Sequence, residues 1–311
     1  MMNYIIRRLL YTIPILIGIT LITFFFFNVV GGDPVSIMLG KHANAQMIAD
    51  MRHEMGFDRP LIWQYFDFLK QIVTFDFGRS YASKQLISKM ILDGAPVSLC
   101  YTLPAFVIAM LISISLSLLV AFWRGGWFDK ITVIICVAGL SVPSLAYILF
   151  GQYWFAYKWG MFPISGFQPG FPEMISYIAL PVIITVVLSI GGELRFYRTV
   201  MLDEIHQDYI RTARSKGLSE RVVMFKHVLK NAMIPIITNV VIEIPFLVTG
   251  SILLENFFGI PGLGNQIVEA INTSDFPVIK AQTIIFSLLY CVFNLLTDIL
   301  YSLVDPRVSL K

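Results

Sequence analysis

The sequence has 311 residues, of which 57% are hydrophobic and only 14% are charged, and its formal net charge is +3. A soluble domain carries about 25% charged residues, so this composition excludes an ordinary soluble protein and predicts an integral membrane protein. The charge is too small, and too little interleaved with aromatic residues, to indicate a nucleic acid partner.

The first apolar segment covers residues 9–30 and follows a short basic stretch that ends at Arg8. Its roughly 22 residues are enough to cross a bilayer at a rise of about 1.5 Å per residue. A signal peptide would have an apolar core of only about 7–15 residues before a cleavage site with small residues. The run Phe24–Phe27 does not fit that pattern, so we predict a retained membrane helix.

A polar region of about 65 residues, residues 31–95, follows the first helix. Apolar spacing within it predicts a short amphipathic helix near Met47 and a longer one that begins just after Pro60. Neither is long or apolar enough to span a bilayer. We therefore expect this insertion to lie against the outer face of the membrane.

Five further apolar segments are long enough to be membrane spans. We place them at residues 96–122, 131–157, 174–194, 232–255 and 281–304. With residues 9–30 they predict an all-α integral membrane protein with six transmembrane helices, forming a single domain over residues 1–311.

Histidine and cysteine residues do not indicate a metal site. His42 and His53 have no neighbouring set of ligands and are predicted to be exposed polar residues. Cys100, Cys136 and Cys291 lie in apolar segments and fit neither a zinc spacing nor a disulfide framework. The sequence therefore predicts no metal bound by this chain.

The longest polar run between two apolar segments covers residues 195–231. Its apolar spacing predicts a helical turn that ends at Gly217 and a second helix that begins near Ser219. A segment this long and this charged is typical of an element that docks onto another protein. The alternative is a solvated basic loop held against anionic membrane lipid. The candidate docking residues are Asp208, Tyr209, Ile210, Arg211, Thr212, Ala213, Arg214, Lys216 and Gly217.

The distribution of basic residues predicts the orientation of the chain in the membrane. Most of the 23 Lys and Arg residues lie in the termini and in the loops that would share their side of the membrane, above all in residues 195–231. Such residues favour the cytoplasmic side. We therefore predict that both termini and the 195–231 segment are cytoplasmic, and that residues 31–95 are extracytoplasmic.

Glu243 is a carboxylate inside a predicted span. Because an isolated carboxylate in hydrocarbon is costly, it must face a partner helix or a water-filled cavity. The sequence leaves two interpretations open, a polar wall of a substrate path and a hydrogen bond between helices. We interpret Glu193, Arg195 and Arg198 as interfacial anchors at a span end, and Asp298 as a helix-end residue.

Nucleotide-binding and catalytic patterns are missing from the sequence. It contains no GxxxxGK[ST] phosphate loop. It also lacks a recognisable Ser/His/Asp or paired-carboxylate arrangement of the kind that enzymes use. We therefore predict that the chain is not an enzyme.

The segment around Gly217 resembles the membrane subunits of ABC importers. Their motif is Glu-Ala-Ala, three residues and Gly, followed after nine residues by Ile-x-Leu-Pro. Residues 211–213 stand at the first three positions, Gly217 at the glycine and residues 227–230 at the ending. Arg211, Thr212 and Lys230 differ from the motif.

The match is closer to the branch that transports di- and oligopeptides and nickel. The fragments DYIRTARSKGL and HVLKNAMIP resemble that branch, in which the proline is displaced to Pro235. Further fragments occur in the order that the branch shows: GDPV at 32–35, GFDRPL at 56–61, FDFG at 75–78, PGLG at 261–264, FPVI at 276–279 and DPR at 305–307.

The resemblance implies a permease subunit of an ATP-driven importer in the bacterial inner membrane. Implied partners are a second homologous permease, two cytoplasmic ATPases that hold ATP and Mg²⁺, an extracytoplasmic substrate-binding protein and membrane lipid. It implies no cofactor for this chain. Di- or oligopeptides are the implied cargo, with nickel or a metal chelate as the alternative. From other classes, a secondary transporter and a membrane scaffold remain; the two halves of the chain show no repeat, and a scaffold leaves the docking segment unexplained.

Overall fold

The computed structural model describes residues 2–30, 35, 44–54 and 56–304. This part of the chain is built of helices, and its one β-bridge joins Arg79 and Leu86. The helices are α1 Met2–Phe25, α2 Ala45–Glu54, α3 Leu61–Thr74, α4 Ile87–Phe122, α5 Trp127–Ser141, α6 Ser144–Gly151, α7 Glu173–Ile205, α8 Asp208–Ser215, α9 Leu229–Thr249, α10 Ile252–Phe258, α11 Leu263–Asn272 and α12 Phe276–Val304. Helical turns at Phe26–Val30 and Gln152–Lys158 extend α1 and α6, and turns at Glu220–Val222 and Val223–Val228 lead into α9.

Within the described residues, five helical segments are long and apolar enough to cross a membrane, and α5 with α6 makes a sixth if the bent pair is one span. The predicted all-helical membrane class is therefore confirmed, with five to six candidate spans. The two amphipathic helices predicted near Met47 and after Pro60 are present as α2 and α3.

The single helix predicted over residues 131–157 is wrong. α5 and α6 meet at a bend of 90°. Pro143 has no backbone N–H to continue the helical hydrogen bonds, and it forces the preceding residue into extended geometry. Val142 accordingly has φ −89° and ψ 127°.

Two helices extend beyond the predicted spans, because hydropathy marks the part of a helix in hydrocarbon and not the whole helix. α4 has 36 residues and begins at Ile87 rather than residue 96. α7 has 33 residues and continues to Ile205 rather than ending at residue 194. At 1.5 Å per residue both are about 50 Å long, while the hydrocarbon layer is only about 30 Å thick.

The span predicted at residues 232–255 is interrupted. α9 ends at Gly250, whose φ of 68° and ψ of −171° are open to glycine but not to other residues. A new helix, α10, then begins after Ser251, whose side chain accepts a hydrogen bond from the Leu254 N–H. The helix is therefore broken where hydropathy alone predicts a continuous one, although Glu220–Phe258 still counts as one candidate span.

Two buried clusters define the ends of the helix bundle. At the α8 end, the C-terminal parts of α4 and α7 pack with α8 and the start of α9. At the opposite, α11 end, Phe24 of α1 and Phe68 of α3 pack with α11 and the beginnings of α4 and α12. Arg8 pairs with Asp298 at 3.0 Å, so the start of α1 lies beside the end of α12. Asp298 thus joins two helices and is not only a helix-end residue.

The described part of the chain leaves out some predicted features. His42, most of the GDPV fragment and the DPR fragment at residues 305–307 lie outside it.

Candidate functional site

The candidate docking helix, α8, is short and lies across the end of the bundle. Gln207, with φ −69° and ψ 147°, separates it from α7. Its inward face carries Ile210 and Ala213, which are 0% and 5% exposed. They pack into the cluster formed by Leu118, Ala121, Tyr197, Met201, Ile205, Val223, Met224, Val228, Ala232 and Ile236. Residues three apart share one face of a helix, so these two apolar residues pack α8 against the other helices of the same chain.

The opposite face of α8 is polar and exposed. Asp208, Tyr209, Arg211 and Thr212 all lie on it, and Lys216, just beyond the helix, is also exposed. Arg211 pairs with Asp208 at 3.5 Å, but both side chains are largely exposed, so this pair contributes little to stability. These side chains remain available to another protein.

Two side chains of α8 bond to its neighbours in the chain. The Tyr209 hydroxyl donates a hydrogen bond to Glu204 at the end of α7. Burial, and then this hydrogen bond, raise the pKa of Tyr209 to about 12, further above neutral pH than that of an ordinary tyrosine. Arg214 donates to Glu220 in the following helical turn, at 3.1 Å from Nε and 2.5 Å from Nη2. The hydrogen bond to Glu220 raises the pKa of the Arg214 guanidinium.

Gly217 ends the α8 segment in a left-handed conformation, with φ of 75°. No atom of the described residues lies within 4 Å of the position that a Cβ would occupy. The requirement for glycine here is therefore set by the backbone and not by space. The predicted pattern of helix, glycine and helix is present.

Glu243 lines a cavity of about 260 Å³ between α7 and α9. Its one recorded hydrogen bond within the described part of the chain is accepted from Asn239 Nδ2 at 2.8 Å, and Asn239 lies on the same helix. An inter-helix hydrogen bond, one of the two interpretations, is therefore not observed for this side chain. Glu193 lines the same cavity from α7.

The interpretation of Glu193 and Arg198 as interfacial anchors is wrong. Glu193 is only 8% exposed. Arg198 forms a two-point ion pair with Asp129 of α5, at 2.6 Å from Nε and 2.9 Å from Nη2. The Gly125 N–H donates to the same carboxylate at 2.9 Å. Arg198 thus joins α7 to α5, while Arg195 is exposed as predicted.

A second buried carboxylate, Glu255 of α10, is 0% exposed and was not singled out from the sequence. Ser98 Oγ donates to it at 2.7 Å and the Tyr101 hydroxyl at 3.1 Å, both from α4. The Asn265 N–H of α11 donates to its other oxygen at 3.0 Å. Ser98 and Tyr101 in turn accept hydrogen bonds from the N–H groups of Leu263 and Ser251. Glu255 therefore joins α4, α10 and α11 through a satisfied polar network.

The PGLG fragment encloses this carboxylate. A Cβ on Gly264 would lie 2.9 Å from the backbone at Ser251 and Ile252, and one on Gly262 would meet Ser98 and Glu255. The two glycines thus let the backbone pass close to Glu255. An ordinary turn would not require glycine for this reason. The sequence does contain a signal for this buried network. Glu255 is a carboxylate within the apolar run ILLENFF, just before a Gly-rich loop.

Comparison with known proteins now decides the family. Residues 113–310 match the family model described as binding-protein-dependent transport system inner membrane component. Residues 1–102 match the model for the N-terminal part of such membrane components. This chain is a permease subunit of an ABC importer. It belongs to the peptide and nickel branch that the sequence resembles.

Curated relatives match the permease over its full length. It is 34% identical to the glutathione transport system permease protein GsiC of Shigella flexneri serotype 5b, over 311 residues and 100% of both chains. It is 33% identical to GsiC of Salmonella typhimurium and 34% identical to GsiC of Escherichia coli strain K12, again over 100% of both chains.

Family membership settles the class of the protein. The permease is not an enzyme, and ATP hydrolysis belongs to partner ATPase subunits of the importer. It is a multi-pass inner membrane protein whose importer works with a substrate-binding protein. The secondary transporter and the scaffold are therefore wrong as alternatives. Of the described residues, no three His, Cys, Asp or Glu side chains are grouped to hold a metal ion.

Proposed function

We propose that this permease forms half of the translocation path of an importer for short peptides, beside a second homologous permease subunit. The full-length similarity to glutathione permeases carries this proposal, since glutathione is a modified tripeptide. Nickel is the alternative cargo that the branch allows, and no observation in the described chain favours it.

We further propose that α8 receives the motion of one ATPase. Two features support this role. The exposed face around Arg211 and Thr212 is free for another protein, whereas Ile210 and Ala213 anchor the helix in the core shared with α4, α7 and α9. A displacement of α8 would therefore be transmitted to three spans, because a packed core moves as a unit rather than deforming continuously.

The test of cargo is reconstitution of the tagged permease, with the chains that co-purify with it, into proteoliposomes that contain ATP on the ATPase side. We expect ATP-dependent uptake of glutathione or of dipeptides in the presence of the substrate-binding protein. Uptake of Ni²⁺ without uptake of any peptide would reject the proposed cargo.

The orientation gives a separate prediction. Ser215 on α8 and Ser83 before α4 are both exposed. In a background in which Cys100, Cys136 and Cys291 are replaced by alanine, Ser215→Cys should react with a membrane-impermeant maleimide only in inside-out vesicles. Ser83→Cys should react only in intact, outward-facing preparations. The reverse pattern would place α8 on the wrong side for an ATPase.

A further inference from the structure

Among the described residues, the cavity between α7 and α9 is lined by two carboxylates and by no basic side chain. Its lining residues are Ser189, Gly192, Glu193, Phe196, Asn239 and Glu243. The four from α7 recur at spacings of three and four residues, and the two from α9 are four apart, so each helix presents one face to the cavity. We propose that this cavity binds the protonated amine of a peptide in transit, an inference that rests on the proposed peptide import.

The hydrogen bonding of the cavity is incomplete. Glu193 is more than nine-tenths buried, and its Oε2 atom has no hydrogen-bond partner in the described part of the chain. The Ser113 hydroxyl approaches Glu193 but makes no well-formed hydrogen bond with it. The Ser113 hydroxyl also has no partner and could donate one hydrogen bond to Glu193. Two carboxylates accept several hydrogen bonds, and buried polar atoms are normally paired, so the cavity has room for a further donor.

The charge of the cavity specifies the kind of donor that is missing. Neither Glu193 nor Glu243 takes part in an ion pair with a described Lys, Arg or His residue. Two carboxylates in a span repel each other and lose hydration, and a cation placed between them relieves both costs. An ammonium group supplies one positive charge and three N–H donors.

The lining favours an organic amine over a metal ion. Phe196 offers an aromatic ring, and ammonium groups are attracted to such rings. Two carboxylates and one amide are too few ligands for nickel, which prefers imidazole and other nitrogen donors. Import of short peptides brings a free α-amine to this path with every unmodified substrate molecule.

The proposal is tested by the rates at which thiol reagents reach the cavity in the purified, detergent-solubilised complex. Ser189 lines the cavity, so Ser189→Cys is made in a background without the native cysteines. The matched control is Ser287→Cys, in a cavity of about 300 Å³ between α1, α9 and α12 whose described lining residues are all uncharged. Each variant is labelled with 2-aminoethyl methanethiosulfonate, which is cationic, and with the neutral methyl methanethiosulfonate.

We expect the ratio of cationic to neutral labelling rates to be about tenfold higher at Ser189→Cys than at Ser287→Cys, as about 1.4 kcal/mol of attraction would give. Adding Glu193→Gln and Glu243→Gln should remove the difference. S-methylglutathione should slow labelling of Ser189→Cys, and its N-acetylated form should not.

Three results would overturn the amine site: equal ratios in the two cavities, a ratio that survives both Gln substitutions, or protection by Ni²⁺ but not by the free-amine peptide. Peptide uptake by the wild-type complex is measured separately. Absent uptake would count against the proposed function, whereas normal uptake with equal labelling ratios would count against the amine site alone.

Discussion

Gly217→Val should uncouple this permease from its ATPases. Gly217 has φ of 75°, and a β-branched residue in that region costs about 1–2 kcal/mol. That strain would displace the end of α8 and should lower both substrate-stimulated ATP hydrolysis and uptake about tenfold, since about 1.4 kcal/mol is a factor of ten. Both rates are measured in proteoliposomes with and without loaded substrate-binding protein.

The matched control is Gly217→Asn. Asparagine tolerates the left-handed conformation, and the space around a Cβ here is empty. It should therefore keep most of the stimulated activity. Binding of ATP and of the substrate-binding protein should be unchanged in both variants, because neither site lies on α8. Normal stimulation in Gly217→Val would remove α8 from the coupling path.

Introducing a tryptophan on one face of α8 or on the other should distinguish the roles of the two faces. Thr212 is exposed and its neighbour Ala213 is buried. Thr212→Trp should block docking of the ATPase while the permease still folds, whereas Ala213→Trp should also disturb the core beneath α8. Full ATPase co-purification with Thr212→Trp would show that the exposed face of α8 is not the docking surface.

Glu255→Leu should destabilise the permease severely. The substitution leaves the hydroxyls of Ser98 and Tyr101 and the Asn265 N–H without their acceptor. Each unsatisfied buried group costs about 1–3 kcal/mol, so the total loss should exceed about 3 kcal/mol. We expect a lower melting temperature of the purified complex and less permease in the membrane.

Two further variants test whether the effect of Glu255→Leu comes from the loss of this polar network. Glu269 is exposed on α11 and bonds to the side chain of Asn265, so Glu269→Leu is the matched control and should change the melting temperature little. Gly262→Ala should resemble Glu255→Leu, because a methyl group there collides with the Glu255 carboxylate and Ser98. A melting temperature that stays at the wild-type value in Glu255→Leu would mean that this network does not hold α10 and α11 in place.

The sequence by itself determined the class of this protein, most of its helices and its family, but not the breaks after Val142 and Thr249. Long apolar segments specify membrane helices wherever they occur, because backbone groups in hydrocarbon must bond within the segment. The turn at Gly217 was predictable for a similarly local reason, since glycine adopts the left-handed conformation at little cost.

The tertiary structure decided which side chains meet. Ala213 and Thr212 lie in the same predicted helical turn, but only packing against α4, α7 and α9 buries Ala213 and leaves Thr212 exposed. Glu193 follows an apolar segment and is predicted as an anchor, but α7 continues past it and places it beside Glu243. Glu255 and Ser98 are 157 residues apart in the chain. Hydropathy and spacing report on near neighbours, whereas these polar contacts depend on how separate helices pack together.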